Sequence, residues 1–271
     1  MQTEDFEDII YQKEENGICT ATISRPENRN AVTYISFLEL YTVLEDMEKD
    51  KNAKVLIITG DPKGKAFTSG GFFKPEMLEK MKKYPEIDLM DIAQKKLTMK
   101  FWNFTKPVIA AINGMAIGGG ITMPLVGADL IYIAEDAWLG FFFSKRAIIP
   151  EFSSSFLLPL LVGFQKAKEI CFYGDKITAQ KAYELGLVNK VLPSEELIPF
   201  AREQALKLIP PRGPSLSLKL MKKTMHAYFK DILEKILDLE NRALRKTFTS
   251  KDFNESMKAL KEKRDPIFIG R

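Results

Sequence analysis

One carboxylate, Glu151, stands in "IIPEFSSSFLLP" (148–159) between a proline and three serines, in an otherwise apolar stretch. Such an acid has two physical readings. Near a helix start, with Ser153 to Ser155 as caps, it is stabilised by the helix dipole. Against an apolar wall, such as Phe141, Phe142 and Phe143 would provide, it is desolvated and its pKa climbs towards neutrality. It can then take a proton from carbon and return it elsewhere. Two glycine-bearing stretches could supply the rest of such a site. In "GKAFTSGGFFKPEM" (64–77) the pair Gly70-Gly71 lets backbone approach a ligand, and a helix is expected to start near Pro75. In "NGMAIGGGITMPL" (113–125) a strand end passes through Gly118, Gly119 and Gly120 into a helix. Each alone reads as a tight strand-to-helix connection. Together they offer two backbone N–H donors to one oxygen, an oxyanion hole, where one donor is worth roughly 2.7–4 kcal/mol of transition-state stabilisation. Neither stretch is a GxxxxGKS/T phosphate loop, and no downstream acid completes a dinucleotide fingerprint.

Other chemistries find little support. The single histidine, His226, lies in the helical-looking "LMKKTMHAYFKDIL" and reads as a surface or packing residue, so a Ser-His-Asp mechanism is not expected. Cys19 and Cys171 are far apart and lack metal-ligand spacing. They fit a reducing compartment, with no disulfide framework and no metal site. Net charge is +4, from 40 basic and 36 acidic side chains mixed along 271 residues. That is too mild for a nucleic-acid partner but would suit an anionic small ligand. Hydrophobic residues make up 45% and charged residues 28%, and the apolar runs are broken well before membrane-spanning length. The acidic N-terminal stretch does not read as a signal peptide, and "FIGR" does not match the common peroxisomal tripeptide. A cytoplasmic protein without a membrane partner is expected.

The elements that must position these residues follow from periodicity. "DIIYQKEENGICTATISR" reads as a hairpin turning at Glu15-Asn16-Gly17, and "YISFLELYTVLEDMEKD" as a helix. "KVLIITG" (54–60), "PVIAAING" (107–114) and "DLIYIAE" (129–135) read as buried strands. Strands alternating with helices predict an α/β layer with the site in loops at strand ends. From about Ser153 onward nearly everything has helical periodicity. The long C-terminal helices have apolar faces that a small sheet would not fully cover, so neighbouring subunits are expected to bury them.

In order along nearly the whole chain, "SRPENRNAVT", "GKAFTSGGFFKPEM", "KPVIAAINGMAIGGGI", "ADLIYIAEDAWLGF", "IIPEFSSSFLLPLLVG", "GDKITAQKAYELGLVNKVLP" and "ESMKALKEKRDPIF" resemble the enoyl-CoA hydratase/isomerase (crotonase) superfamily. The resemblance implies an α/β fold, a crotonase-like ββα spiral. It implies an acyl-CoA-binding core over 1–200 and a helical C-terminal trimerisation region over 201–271. Homotrimers or dimers of trimers are implied, as is an acyl-CoA thioester substrate. No separate cofactor is needed, since CoA is part of the substrate. Matched by position, the oxyanion donors would be Gly71 and Gly119. The chain departs from the common pattern at Phe72, where many members have Asp. The two hydratase glutamates are replaced by Thr122 and Phe143. Phe72, Thr122 and Phe143 would then shape the acyl pocket. Glu151 matches the glutamate of Δ3,Δ2-enoyl-CoA isomerases. CoA would lie along Arg29, Asn30 and Ala31, and along the stretch from Phe67 to Ser69. Lys263 would reach its phosphates from a neighbouring subunit, or else be one more solvated charge. The implied reaction is conversion of a 3-enoyl-CoA to a trans-2-enoyl-CoA. A hydratase or other specialised crotonase, and a scaffold that binds CoA without catalysis, are the alternatives.

Overall fold

Asn16-Gly17 closes a turn between two apolar runs, and the chain folds accordingly. Ile9–Lys13 (β1) and Ile18–Ile23 (β2) pair antiparallel, and Ile18 N donates to Asn16 Oδ1 at 2.9 Å. The computed structural model describes residues 1–71 and 95–271. The largely apolar runs become Val55–Gly60 (β3), Val108–Ile112 (β5) and Leu130–Ala134 (β7). With Lys190–Leu192 (β10) they extend the hairpin in parallel, giving a six-stranded sheet of order β1-β2-β3-β5-β7-β10. Every residue of β3 and β5 is buried, as befits central parallel strands covered on both faces.

Tyr34–Lys49 (α1) starts at a capping box, where the Thr33 hydroxyl accepts from the amides of Ile35 and Ser36. Its buried Glu39 accepts the amides of Glu7, Asp8 and Ile9 at 2.7–3.0 Å, which ties the entry to β1 onto the helix. Leu97–Asn103 (α2) packs against α1.

A second sheet is built from Ala66–Thr68 (β4), Met115–Ile117 (β6), Trp138–Gly140 (β8) and Lys176–Thr178 (β9), in that order. All its neighbours are parallel except β8 and β9. Each long strand is thus followed by a short one in the other sheet: β3 by β4, β5 by β6, β7 by β8. β6 then runs into Gly119–Gly127 (α3). This strand–strand–helix winding is the crotonase-type ββα spiral.

The second half is less uniformly helical than its periodicity predicts. β9 and β10 both lie there, and at three residues each they are too short to display a period of two. The helices are Ser154–Val162 (α4), Phe164–Tyr173 (α5), Ala179–Glu184 (α6), Leu197–Lys207 (α7), Ser215–Ala227 (α8), Lys230–Phe248 (α9) and Lys251–Glu262 (α10). α7 packs across β2, β3, β5 and β7. α8 is pinned by Lys222, 8% exposed, whose Nζ lies 2.8 Å from Asp129 Oδ2 and donates to the Lys106 carbonyl. His226 stacks on Trp102 at 4.0 Å, its Nδ1 is 2.8 Å from the Trp102 carbonyl oxygen, and Trp102 Nε1 donates to the His226 carbonyl. Burial lowers its pKa, and it is a packing residue. α9 packs on α4 and α10, and α10 on the 3₁₀ turn Ser144–Arg146.

Candidate active site

The two glycine loops meet because their strands are parallel neighbours. Ala66 pairs with Met115 and Thr68 with Ala116, so both chains leave the sheet at the same end. Gly70, at φ +95°, sits so close to β6 that a Cβ there would meet the Ile117 carbonyl oxygen at 2.8 Å. Gly70, Gly71, Gly118 and Gly119 line one cavity of about 530 Å³. Phe142, Phe143, Ile148 and Phe152 form an apolar wall, and Phe248, Phe253, Met257 and Leu260 from the C-terminal helices close another side.

Glu151 also lines this cavity. A Cβ on Gly119 would lie 3.3 Å from its Oε1, so any larger residue there would crowd the carboxylate. The Glu151 pKa is raised to about 8, chiefly by burial and next by the charge of Glu240, with the Gly119 amide opposing both. The serines after Glu151 do not cap α4 with their hydroxyls as the sequence suggests. Phe152 and Ser153 both adopt positive φ, at 55° and 58°, and the Ser153 hydroxyl is buried without a partner among the described residues. The caps come instead from α9. Ser153 N donates to Glu240 Oε2 at 2.8 Å and Ser155 N to Glu240 Oε1 at 3.0 Å. Glu240 is 2% exposed, and burial raises its pKa to about 7.

Comparison with known proteins agrees with this fold. The family model for enoyl-CoA hydratase/isomerase matches residues 13–271. The chain belongs to the enoyl-CoA hydratase/isomerase family. It is 29% identical to the 1,2-epoxyphenylacetyl-CoA isomerase of Escherichia coli K12, over 97% of this chain and 99% of that one. It is 30% identical to the crotonyl-CoA hydratase of Syntrophomonas wolfei, over 98% and 99%. The crystal structure of an enoyl-CoA hydratase/isomerase from Pseudoalteromonas atlantica T6c superposes with a TM-score of 0.85 at 26% identity, covering 97% of this chain and all of that one. The crotonase fold and the processing of acyl-CoA follow from membership.

Against this family background, the expected site residues divide. Glu151, Gly71, Gly119, Phe143 and Ser69 come together on the cavity wall. Thr122 and Phe67 do not reach it: both are fully buried, and the Thr122 hydroxyl donates to the Gly118 carbonyl within its own helix. Of the three phenylalanines, Phe141 is in the core and only Phe142 and Phe143 face the cavity. Arg29 is exposed, and its carbonyl accepts from Ser69 N, which joins the expected CoA strip to the first glycine loop. Asn30 and Ala31 are buried beside it. Lys263 is an exposed C-cap in the left-handed conformation. Phe72 and the helix expected near Pro75 lie outside the described residues. Glu240 and the four apolar residues of α9 and α10 were not anticipated. Within an amphipathic helix they look like any other charge or core position. Among the described residues no three or more His, Cys, Asp or Glu side chains cluster as a metal site, and no helix is long and apolar enough to cross a membrane.

Proposed function

We propose that the protein isomerises 3-enoyl-CoA thioesters to trans-2-enoyl-CoA, with Glu151 as the acid/base. The observation that carries the reading is a single carboxylate on the described wall of a largely apolar cavity, beside two glycine loops. Glu151 takes a C2 proton, the amides of Gly71 and Gly119 hold the dienolate oxygen, and Glu151 returns the proton at C4. A base with a pKa of about 8 is strong enough to accept that proton near neutral pH and weak enough to give it back. The thioester oxygen also competes with Glu151 for the Gly119 amide. Binding therefore removes the one contact that lowers the base's pKa.

Hydration normally uses two acids to hold and activate water. At those positions this chain has Thr122, buried inside α3, and Phe143. Water addition remains the rival reading because relatives such as that of Syntrophomonas wolfei are named hydratases. A CoA-binding scaffold is the third reading. The same proposal includes no separate cofactor and CoA seated along Arg29, Ala31 and Ser69, with Lys263 reaching its phosphates. It also includes a core over 1–200 with a helical region over 201–271, a cytoplasmic location and a trimer or dimer of trimers.

The test is steady-state conversion of a 3-enoyl-CoA by wild type and Glu151→Gln, with 3-hydroxyacyl-CoA measured in the same mixture. We expect isomerisation without hydroxyacyl product, and a loss of about 10²–10⁴-fold in the variant. Hydroxyacyl product from an enzyme that does not isomerise would replace this reading with the hydratase. An inert protein that binds CoA would replace it with the scaffold.

A further inference from the structure

Two successive residues other than glycine in the left-handed region are costly, on the order of 1–3 kcal/mol each, and persist only where surrounding contacts impose them. Phe152 and Ser153 form such a pair directly after Glu151. The contacts that impose it are identifiable. Glu240 spans the turn with both carboxylate oxygens, one on the Ser153 amide and one on the Ser155 amide, 87 and 85 residues away in the chain. Ser154 closes the other side, since its amide and hydroxyl both donate to the Glu151 carbonyl. Glu240 thus ties the C-terminal helices to the backbone directly after the base through two hydrogen bonds.

We propose that Glu240 is the positioning residue of this site, holding the left-handed turn that aims Glu151 into the cavity and presenting it with a second, buried negative charge. The inference rests on the reading of Glu151 as the base.

An apolar residue at 240 would leave two buried N–H groups unpaired, and a lysine would oppose them. A carboxylate satisfies both amides at once and completes the cap of α4. Its charge also disfavours ionisation of Glu151. α4, against which α9 packs, carries no titratable side chain. On α10, Asp252 accepts the amides of Ile269 and Gly270, and Glu255 is paired with Arg264. On the 3₁₀ turn beneath α10, Arg146 lines the cavity but makes no ion pair with Glu151 or Glu240 among the described residues.

The experiment compares Glu240→Gln and Glu240→Asp with wild type, reading the ¹³C carboxyl titration of Glu151, assigned by its loss in Glu151→Gln, and the pH profile of kcat/KM. Glu240→Gln removes the charge and keeps the shape, so Glu151 should titrate at lower pH. The acidic limb should move down with it, and kcat should fall about tenfold with a smaller change in KM. Glu240→Asp keeps the charge but retracts it by one methylene. The limb should stay in place while kcat falls, and this variant decides the matter if Glu240→Gln does not fold. A Glu151 titration that is the same in Glu240→Gln as in wild type, or an unchanged kcat in Glu240→Asp, overturns the proposal. A shifted titration in a protein that shows no isomerase activity supports it while removing the isomerase reading.

Discussion

At the scale of single residues, the site is governed by where a carboxyl group is allowed to lose its proton. Glu151 is held at about 8 and Glu240 at about 7, both above the ordinary 4.5 because burial disfavours their charged forms. Proton abstraction needs Glu151 ionised, so kcat/KM should rise with pH and level off only above about 8. Stability should run the other way. The folded protein keeps a proton on Glu151 that the unfolded chain has already released. The contribution is therefore fully present below about 4.5 and is lost as pH rises through about 8. Thermal unfolding of wild type and Glu151→Gln should coincide near pH 5. At pH 8.5 the variant should melt higher by about 2 °C or more. Equal differences at both pH values would mean that Glu151 is not desolvated in the folded state.

At the scale of elements, parallel pairing of β4 with β6 does most of the positioning, because it forces two loops 48 residues apart to leave one sheet edge together. The helices contribute through a few buried polar ties. Lys222 fastens α8 to the start of β7 through Asp129, and its ammonium is more buried than its partner. Lys222→Ala would strand the Asp129 carboxylate and open space beneath α8. Loss of one partner of a buried pair costs about 3–5 kcal/mol, and the partial exposure of Asp129 puts the expected loss near 3 kcal/mol. Urea unfolding should show it as a lower midpoint with unchanged slope. A loss below about 1 kcal/mol would mark the pair as an ordinary surface bridge.

At the scale of the whole molecule, apolar surface remains where a lone chain should have little. Leu216, Leu220, Met221 and Met225 are exposed along α8, with Tyr228 beyond its end at 82%. Phe164, Phe172 and Tyr173 are exposed along α5. Contiguous faces of this kind mark association surfaces. On the proposed assembly, sedimentation should give three chains or a multiple of three at micromolar concentration. Leu220→Glu combined with Met225→Glu should shift the protein to smaller species. A wild type that sediments as one chain would rule out this assembly.

Much of this was legible in short stretches. The buried strands, the hairpin turn, the long first helix and the glycine loops each follow from four to about sixteen consecutive residues. Backbone conformation and apolar periodicity are local properties, so the sequence carries them directly. Glu151 was legible as a candidate only: its local sequence suits a helix-start acid as well as a desolvated one, and the resemblance to the family's isomerases favoured the second. The strands of the second sheet were not, because three residues cannot display a period. Glu240 was not, because a charge in an amphipathic helix looks the same whether it faces water or a buried amide. Burial of Thr122 and Phe67 away from the cavity was equally hidden, since a position matched by order says nothing of the direction in which a side chain points. The sequence by itself thus determined which groups are available for chemistry. The tertiary structure decided which of them share a cavity and how strongly Glu151 holds its proton, because both depend on contacts between segments far apart in the chain.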